Sequence, residues 1–194
     1  MNLNLGSYKI NWTGKPGDYP NVNNDLLLCS QLGKGSFAVV YEGQDKKMRK
    51  TVAVKVYDKK KLNSSEKREF TQNEINVMLK IGSHPSIARL WRVIEDSKNI
   101  FLIQEVAGKK ALSDVIRAGP NKRLSEPDAR LIFRQLVSAV SFVHKLGICH
   151  RDLKMTNILV NDKKKLKLID FGFSTMNRAN FRTYCGTPSY MAPE

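Results

Sequence analysis

The sequence predicts an α+β chain in which an antiparallel β region carrying one helix precedes a mainly helical region. Three observations carry this. Short runs rich in Val, Leu and other strand formers crowd into residues 26–57, separated by glycine or charged turns. The texture turns helical after Gly108, and the most regular amphipathic stretch runs from Ser125 to Lys145.

Taken in order, residues 1–24 are polar, rich in Gly, Asn and Pro, and aperiodic, so they read as a loosely ordered extension. The domain, 25–194, starts near Asp25. Leu26–Leu32, Ala38–Glu42 and Thr51–Tyr57 are then expected as an antiparallel meander of three strands. Ser64 and Ser65 offer caps for a helix reaching about Lys80, with Phe70, Ile75, Met78 and Leu79 as an imperfect apolar stripe. Two further strands are expected near Ala88–Ile94 and Ile100–Glu105. In the helix that Ser125-Glu126-Pro127-Asp128 begins, Ala129, Ile132, Phe133, Leu136, Val137, Val140 and Val143 fall at helical spacing, and Gly147 lies just past its end. Ile158–Val160 and Leu166–Ile169 read as a small hairpin about Asn161-Asp162.

A chain of 194 residues, 41% of them apolar, is long enough to bury a substantial core. No apolar run reaches the length of a membrane span, and the first twenty residues lack the apolar segment of a secretory signal, so a cytoplasmic location is expected, with a nuclear one the alternative. The three cysteines, Cys29, Cys149 and Cys185, are far apart and lack metal-ligand spacing, which favours reduced thiols. The formal charge is +15. Its densest clusters (Lys46, Lys47, Arg49 and Lys50; Lys59–Lys61; Lys163–Lys165) flank expected strands without interleaved aromatics, so they read as solvated surface and not as a nucleic-acid platform.

The chemistry lies in four separated motifs. Gly33-Lys34-Gly35-Ser36-Phe37-Ala38 sits between two expected strands, where backbone N–H groups without an intervening Cβ can approach phosphate oxygens; such a turn between strands can equally be only a turn. Val52-Ala53-Val54-Lys55 ends in a lysine on a strand, and Glu74 on the next helix can hold that ammonium. Downstream, His150-Arg151-Asp152-Leu153-Lys154-Met155-Thr156-Asn157 and Asp170-Phe171-Gly172 supply two carboxylates and an amide.

These motifs together resemble the eukaryotic protein kinase superfamily, from the Gly-rich loop to Ala192-Pro193-Glu194. The resemblance implies a two-lobed kinase-like fold: a complete N-terminal β lobe with one regulatory helix (about 25–105), a hinge (about 105–109) and a partial helical C-terminal lobe (about 110–194). It implies ATP with Mg²⁺, or Mn²⁺, as cofactors, and transfer of the γ-phosphoryl to a protein hydroxyl. Asp152 would orient that hydroxyl and Lys154 would stabilise the phosphoryl group. Lys55, positioned by Glu74, would hold the α- and β-phosphates. Asn157 and Asp170 would hold the metal. Leu32, Gly33, Lys34, Gly35, Ser36, Val40, Ala53 and Leu159 would surround the nucleotide, with the Glu105 carbonyl and the Ala107 amide on the adenine edge and Gln104 as gatekeeper. Met78, Leu90, His150 and Phe171 would stack as a spine.

Lys154 two residues after Asp152, together with Gly186-Thr187-Pro188, resembles Ser/Thr and not Tyr kinases, and Thr187 would bond back to Asp152 and Lys154. Thr183 occupies the place of an activation-loop phosphosite, with Arg151 to receive the phosphate, which implies an activating kinase as a partner. Two subfamily resemblances compete. Gly33–Ala38 with Asp58-Lys59-Lys60 and Gln72-Asn73-Glu74 looks polo-like, whereas Asp170-Phe171-Gly172-Phe173-Ser174 looks like the calmodulin-dependent and AMP-activated group. Similar kinases continue for roughly another hundred helical residues, so the chain is expected to expose surface meant for burial. An active Ser/Thr kinase, a catalytically weak nucleotide-binding or interaction fragment, and a basic nucleic-acid binder supported only by charge are the readings in play.

Overall fold

The structure, a computed structural model, describes residues 8–13, 25–35, 37–108, 110–176 and 185–193. Contacts within the chain divide it into two compact units. One comprises residues 1–79 and 89–106, the other 80–88 and 107–194.

The first unit is built on a five-stranded antiparallel sheet. Its strands are β1 (Leu26–Lys34), β2 (Ala38–Asp45), β3 (Lys50–Asp58), β4 (Leu90–Glu95) and β5 (Asn99–Gln104), in the order β1-β2-β3-β5-β4. The three-strand meander is present, and each strand extends past its apolar run into polar residues. The reason is register: pairing continues from Ala38 opposite Tyr57 to Asp45 opposite Lys50, because backbone bonds do not depend on the side chains beyond the apolar stretch. One face packs Leu26, Val52, Val54, Ile94, Phe101 and Ile103 into a core that Met48, Val56 and Trp91 partly cover. Each such fully buried aliphatic or aromatic side chain stabilises the fold by about 1.5–3 kcal/mol relative to exposure.

Helix α1 (Ser65–Ile81) follows β3. Its cap is Ser64, whose Oγ accepts from the Lys67 N–H at 3.3 Å while its carbonyl accepts from the Arg68 N–H. The buried face is Thr71, Glu74, Ile75, Val77, Met78 and Ile81. The expected stripe is therefore corrected at Phe70, which is exposed, and Leu79, which is half-buried. Two polar side chains take core positions that an apolarity pattern assigns elsewhere.

Within the stretch expected as a loose extension, residues 8–13 are docked on this unit. Gln72 Nε2 donates to the Tyr8 carbonyl, and the Ile10 N–H donates back to Gln72 Oε1 at 3.0 Å. The Tyr8 hydroxyl and the Asn11 N–H both donate to Glu95 Oε1, at 2.9 and 3.2 Å. Ile10 is buried, and the Arg68 guanidinium lies 5.1 Å from the Trp12 ring centre. The remainder of 1–24 lies outside the described residues, as do Ser36, Thr183 and Glu194.

The second unit contains β6 (Lys110–Ala111), α2 (Leu112–Ala118), α3 (Glu126–Lys145), β7 (Ile158–Val160) and β8 (Leu166–Leu168), with single 3₁₀ turns at Pro120–Lys122, Met155–Asn157 and Pro188–Tyr190. Ser125 Oγ caps α3 by accepting from the Asp128 N–H at 3.3 Å, and Gly147 follows its end at φ +73°. On α3, Ile132, Ala139 and Val143 are buried. Phe133 and Val137, expected in the apolar stripe, are exposed; Phe133 retains 64% of its accessible surface. They line a groove of about 680 Å³ with Leu136, Val140, His144 and Leu153. The hairpin forms as β7 and β8, and β6 pairs on the other side of β7. Asn161 Oδ1 shapes the turn by accepting from the Lys163 and Lys165 N–H groups, at 3.0 and 2.9 Å. Among the described residues no helix is long and apolar enough to cross a membrane.

Candidate active site

In the first unit the central feature is an ion pair. Lys55 on β3 pairs with Val40 of β2 and Leu102 of β5, which places it mid-sheet, and Glu74 lies on the buried face of α1. Lys55 Nζ donates to Glu74 Oε1 at 2.7 Å, with the glutamate side chain only 1% exposed and the lysine 14%. Desolvating both charges offsets most of what their attraction contributes, so such a pair is a poor device for stability alone. The Tyr57 hydroxyl donates to the second carboxylate oxygen, Oε2, and the Tyr57 ring centre lies 5.4 Å from Lys55 Nζ.

The glycine loop joins β1 to β2. A Cβ built on Gly33 meets nothing within 4 Å, and one on Gly35 meets only the Ala38 carbonyl at 3.6 Å. Neither glycine is forced by packing against the described residues. Open space above such backbone suits a ligand that approaches it closely. Leu32 is exposed, Lys34 ends β1, and Ser36 lies outside the described residues. Val40 and Ala53 are half-buried on β2 and β3. The Glu105 N–H donates to the Arg89 carbonyl at 2.8 Å, and Glu105 Oε2 accepts from the Arg89 N–H, which ties the strand end after β5 to the start of β4.

In the second unit, residues 150–157 wrap around one carboxylate. Asp152 is 3% exposed. Its Oδ1 accepts from the Thr187 hydroxyl at 2.7 Å, and its Oδ2 accepts from Asn157 Nδ2 and pairs with Lys154 Nζ, both at 2.9 Å. Lys154 Nζ also donates to Thr187 Oγ1 at 2.9 Å, and Asn157 Nδ2 to the Asp152 carbonyl at 2.9 Å. The structure thus brings Asp152, Lys154, Asn157 and Thr187 together, residues up to 35 positions apart in the chain.

Buried beneath them, His150 uses both ring nitrogens. Nδ1 accepts from the Asp152 N–H at 3.2 Å, so the proton resides on Nε2, which donates to the Ile169 carbonyl at 3.2 Å. Burial holds its pKa below the usual range, against the opposing pull of the Ile169 carbonyl and of Asp170 and Asp152. Its ring meets Phe171 edge-on at 4.8 Å. Arg151 and Asp170 both adopt left-handed backbone, at φ +64° and +61°, a conformation that bulky L-residues avoid and that surrounding structure must enforce. Asp170 is exposed, and Gly172 N–H donates to its Oδ1 at 3.4 Å. Arg151 Nε donates to the Phe173 carbonyl at 2.7 Å; Thr183, its expected phosphate partner, lies outside the described residues. Ala107 is half-buried ahead of Gly108, and Leu159 lies in β7.

Among the described residues, no group of three or more His, Cys, Asp or Glu side chains could enclose a metal ion. The candidate donors are oxygens: the Asp170 carboxylate and the Asn157 amide. That set fits Mg²⁺, which is held by one or two protein oxygens and completes its shell with water and phosphate, and it does not fit a zinc site. The sequence reading missed Tyr57, whose position two residues beyond Lys55 on a strand puts it on the same face, and Gly186, whose Cβ would lie 2.4 Å from the Arg151 carbonyl.

Comparison with known proteins identifies the family. Residues 27–194 match the family described as Protein kinase domain. The chain is 40% identical over 168 residues to CBL-interacting protein kinase 10 of Oryza sativa subsp. japonica, covering 84% of this chain and 36% of that protein. It is 36% identical over 176 residues to NUAK family SNF1-like kinase 1 of Homo sapiens (90% and 26%), and 39% identical over 181 residues to CBL-interacting serine/threonine-protein kinase 18 of Arabidopsis thaliana (89% and 34%). The chain therefore spans about a third of the length of the curated relatives it matches. With a match over nearly all of its described sequence, the chain belongs to the protein kinase domain family.

Proposed function

We propose that the chain is the catalytic part of a protein Ser/Thr kinase that transfers the γ-phosphoryl group of Mg-ATP to a protein hydroxyl. The observation that carries this is the buried Asp152 carboxylate, held at both oxygens by Thr187, Lys154 and Asn157. A carboxylate so fixed can accept a hydrogen bond from an incoming hydroxyl and take its proton as the oxygen–phosphorus bond forms and the phosphoanhydride bond breaks, with ADP as leaving group.

Each other residue acts by charge and position. Lys154, 2.9 Å from Asp152, brings a positive charge to the place where negative charge spreads over the phosphoryl oxygens. Lys55, held by Glu74, would contact the α- and β-phosphates, and the glycine loop would cover them with backbone N–H groups. Asp170 and Asn157 would hold Mg²⁺, which would supply neutralisation of the phosphate charge. The Ser/Thr preference rests on Lys154 and Thr187 closing a shallow site around Asp152. A phosphate on Thr183, added by another kinase, would add charge-assisted bonds to Arg151 and order the segment. The expected setting is the cytoplasm or nucleus.

A second reading, nucleotide binding with little turnover, has one observation in its favour: the apolar α3 groove around Phe133 and Val137, which leaves this unit with uncovered apolar surface. Radiolabelled phosphate transfer from ATP to a mixed Ser/Thr peptide separates the two. Turnover by the wild-type chain that Asp152→Asn abolishes supports the kinase. Nucleotide binding without transfer, on this chain and on one extended beyond Glu194, refutes it.

A further inference from the structure

We infer that Tyr57 is a positioning residue for phosphoryl transfer, one that aims the Glu74 carboxylate so that Lys55 is presented to the nucleotide. The inference rests on the kinase reading above and adds a residue to it.

The argument begins with strand geometry. Side chains two apart on a strand share a face, and β3 carries Lys55 opposite Val40 and Leu102, then Tyr57 opposite Ala38 and Ile100. Both therefore project toward the same side of the sheet, where Glu74 of α1 meets them. Glutamate ends in a soft torsion: rotation about the bond to its carboxylate is broad and roughly two-fold, so one ion pair does not fix its plane. Here the two oxygens are divided. Oε1 receives Lys55 Nζ at 2.7 Å and Oε2 receives the Tyr57 hydroxyl, which pins the carboxylate at two points.

Tyr57 also touches the third member. Its ring centre is 5.4 Å from Lys55 Nζ, within range of attraction between a cation and a ring face. The tyrosine thus bridges the acid and the base of the pair, and all three are buried or nearly so. Burial, reinforced by the Glu74 charge, lifts the phenol pKa well above its usual value, so the hydroxyl stays a donor throughout any assay range. A buried carboxylate oxygen stripped of this donor would turn toward Lys55 or toward water, and the ammonium would turn with it.

Packing alone would be served equally well by phenylalanine, which fits the same space. The test is therefore Tyr57→Phe in the full chain, with kcat and KM measured separately for Mg-ATP and for peptide. The expected result is a fall of about 10-fold to 100-fold in kcat/KM for ATP, with peptide KM unchanged and the thermal midpoint within a few degrees of wild type. In a Glu74→Gln background the same substitution should change kcat/KM less than twofold, because the residue acts through Glu74. Wild-type kinetics for Tyr57→Phe, or effects that multiply in the double variant, would overturn the inference. Absence of phosphate transfer by the wild-type chain and by one extended beyond Glu194 refutes the kinase reading instead. In that case Mg-dependent binding of a fluorescent ADP decides: weaker binding by Tyr57→Phe supports the positioning role, and equal binding overturns it.

Discussion

Gly186→Ala is the substitution whose consequence can be worked furthest from the structure. Gly186 has φ +109°, outside the range open to alanine, and its added Cβ would stand 2.4 Å from the Arg151 carbonyl oxygen. Relief to an ordinary contact of 3.4 Å requires a shift of about 1 Å, and backbone, unlike a flexible side chain, cannot give locally. The next residue is Thr187, whose hydroxyl lies 2.7 Å from Asp152 and 2.9 Å from Lys154, so the shift is passed to the groups proposed to orient the substrate hydroxyl. Misplacement of this size costs on the order of 100-fold in rate, and the unfavourable dihedral costs about 1–3 kcal/mol of stability. Gly147 supplies the control, because it is also left-handed at φ +73° but a Cβ there meets nothing within 4 Å. Steady-state phosphate transfer and thermal melts of both variants check the argument. Gly147→Ala should melt lower with kcat kept, whereas Gly186→Ala should lose kcat as well. Equal kcat in the two would refute the steric route from Gly186 to Asp152.

Two other outcomes follow from other contacts. Gln72→Ala removes both hydrogen bonds that clamp residues 8–10 to α1, about 1–3 kcal/mol in all, so the Ile10 amide should exchange hydrogen roughly 5-fold to 100-fold faster while β3 and β5 amides hold; an unchanged Ile10 rate would show that burial of its side chain is sufficient. Stability and activity should both decline as pH falls below the ordinary histidine value of 6.5. His150 and His84 have depressed values in the fold, chiefly through burial, so the unfolded chain takes up more protons there; their contribution is complete above 6.5 and is lost on acidification through the folded values. The hydrogen-bond geometry acts in the same direction: each Nδ1 accepts from a backbone N–H, of Asp152 and Ser86 respectively, and a proton on it turns acceptor into donor. Thermal midpoints between pH 7.5 and 5 test this, and a chain that melts higher at pH 5 contradicts it.

How much of this could be read from the sequence depended on whether a residue's role matched its polarity. The sheet strands were legible because β3 is rich in β-branched residues (Thr51, Val52, Val54 and Val56) and β2 answers it across a charged turn. Strand ends were not, since Gln44, Asp45 and Lys50 pair through the backbone while their side chains read as loop. On α1 the expected stripe took in Phe70 and passed over Thr71 and Glu74, although the helix buries the latter two. Most apolar residues of α3 were found, though not the fully buried Ala139, and periodicity could not say which of its apolar residues this unit covers: Val143 is buried and Phe133 is not. Helix α2 buries only Leu112 and leaves no periodic trace.

The site motifs were legible as residue types at familiar spacings, and the supporting contacts were not, for a physical reason. Tyr57, Gly186 and the segment 8–13 act through atoms that sequence patterns do not weigh: a hydroxyl on an apolar ring, a missing Cβ, a main-chain carbonyl. The places where the chain breaks local rules converge on the same residues. Glu74, His150, Asp152 and Asn157 are polar groups in the core, and Arg151 and Asp170 hold left-handed backbone. Left uncompensated, each such feature would cost on the order of 1–3 kcal/mol. The compensation is specific: Lys55 and Tyr57 for Glu74, Thr187 and Lys154 for Asp152, the Ile169 carbonyl for His150, and for the strained Asp170 a Phe171 ring locked against His150. A sequence under selection for stability alone would place apolar side chains at the buried positions and glycine at the strained ones. That this chain instead keeps the charges and builds partners around them is the physical argument for the chemical roles proposed for these groups.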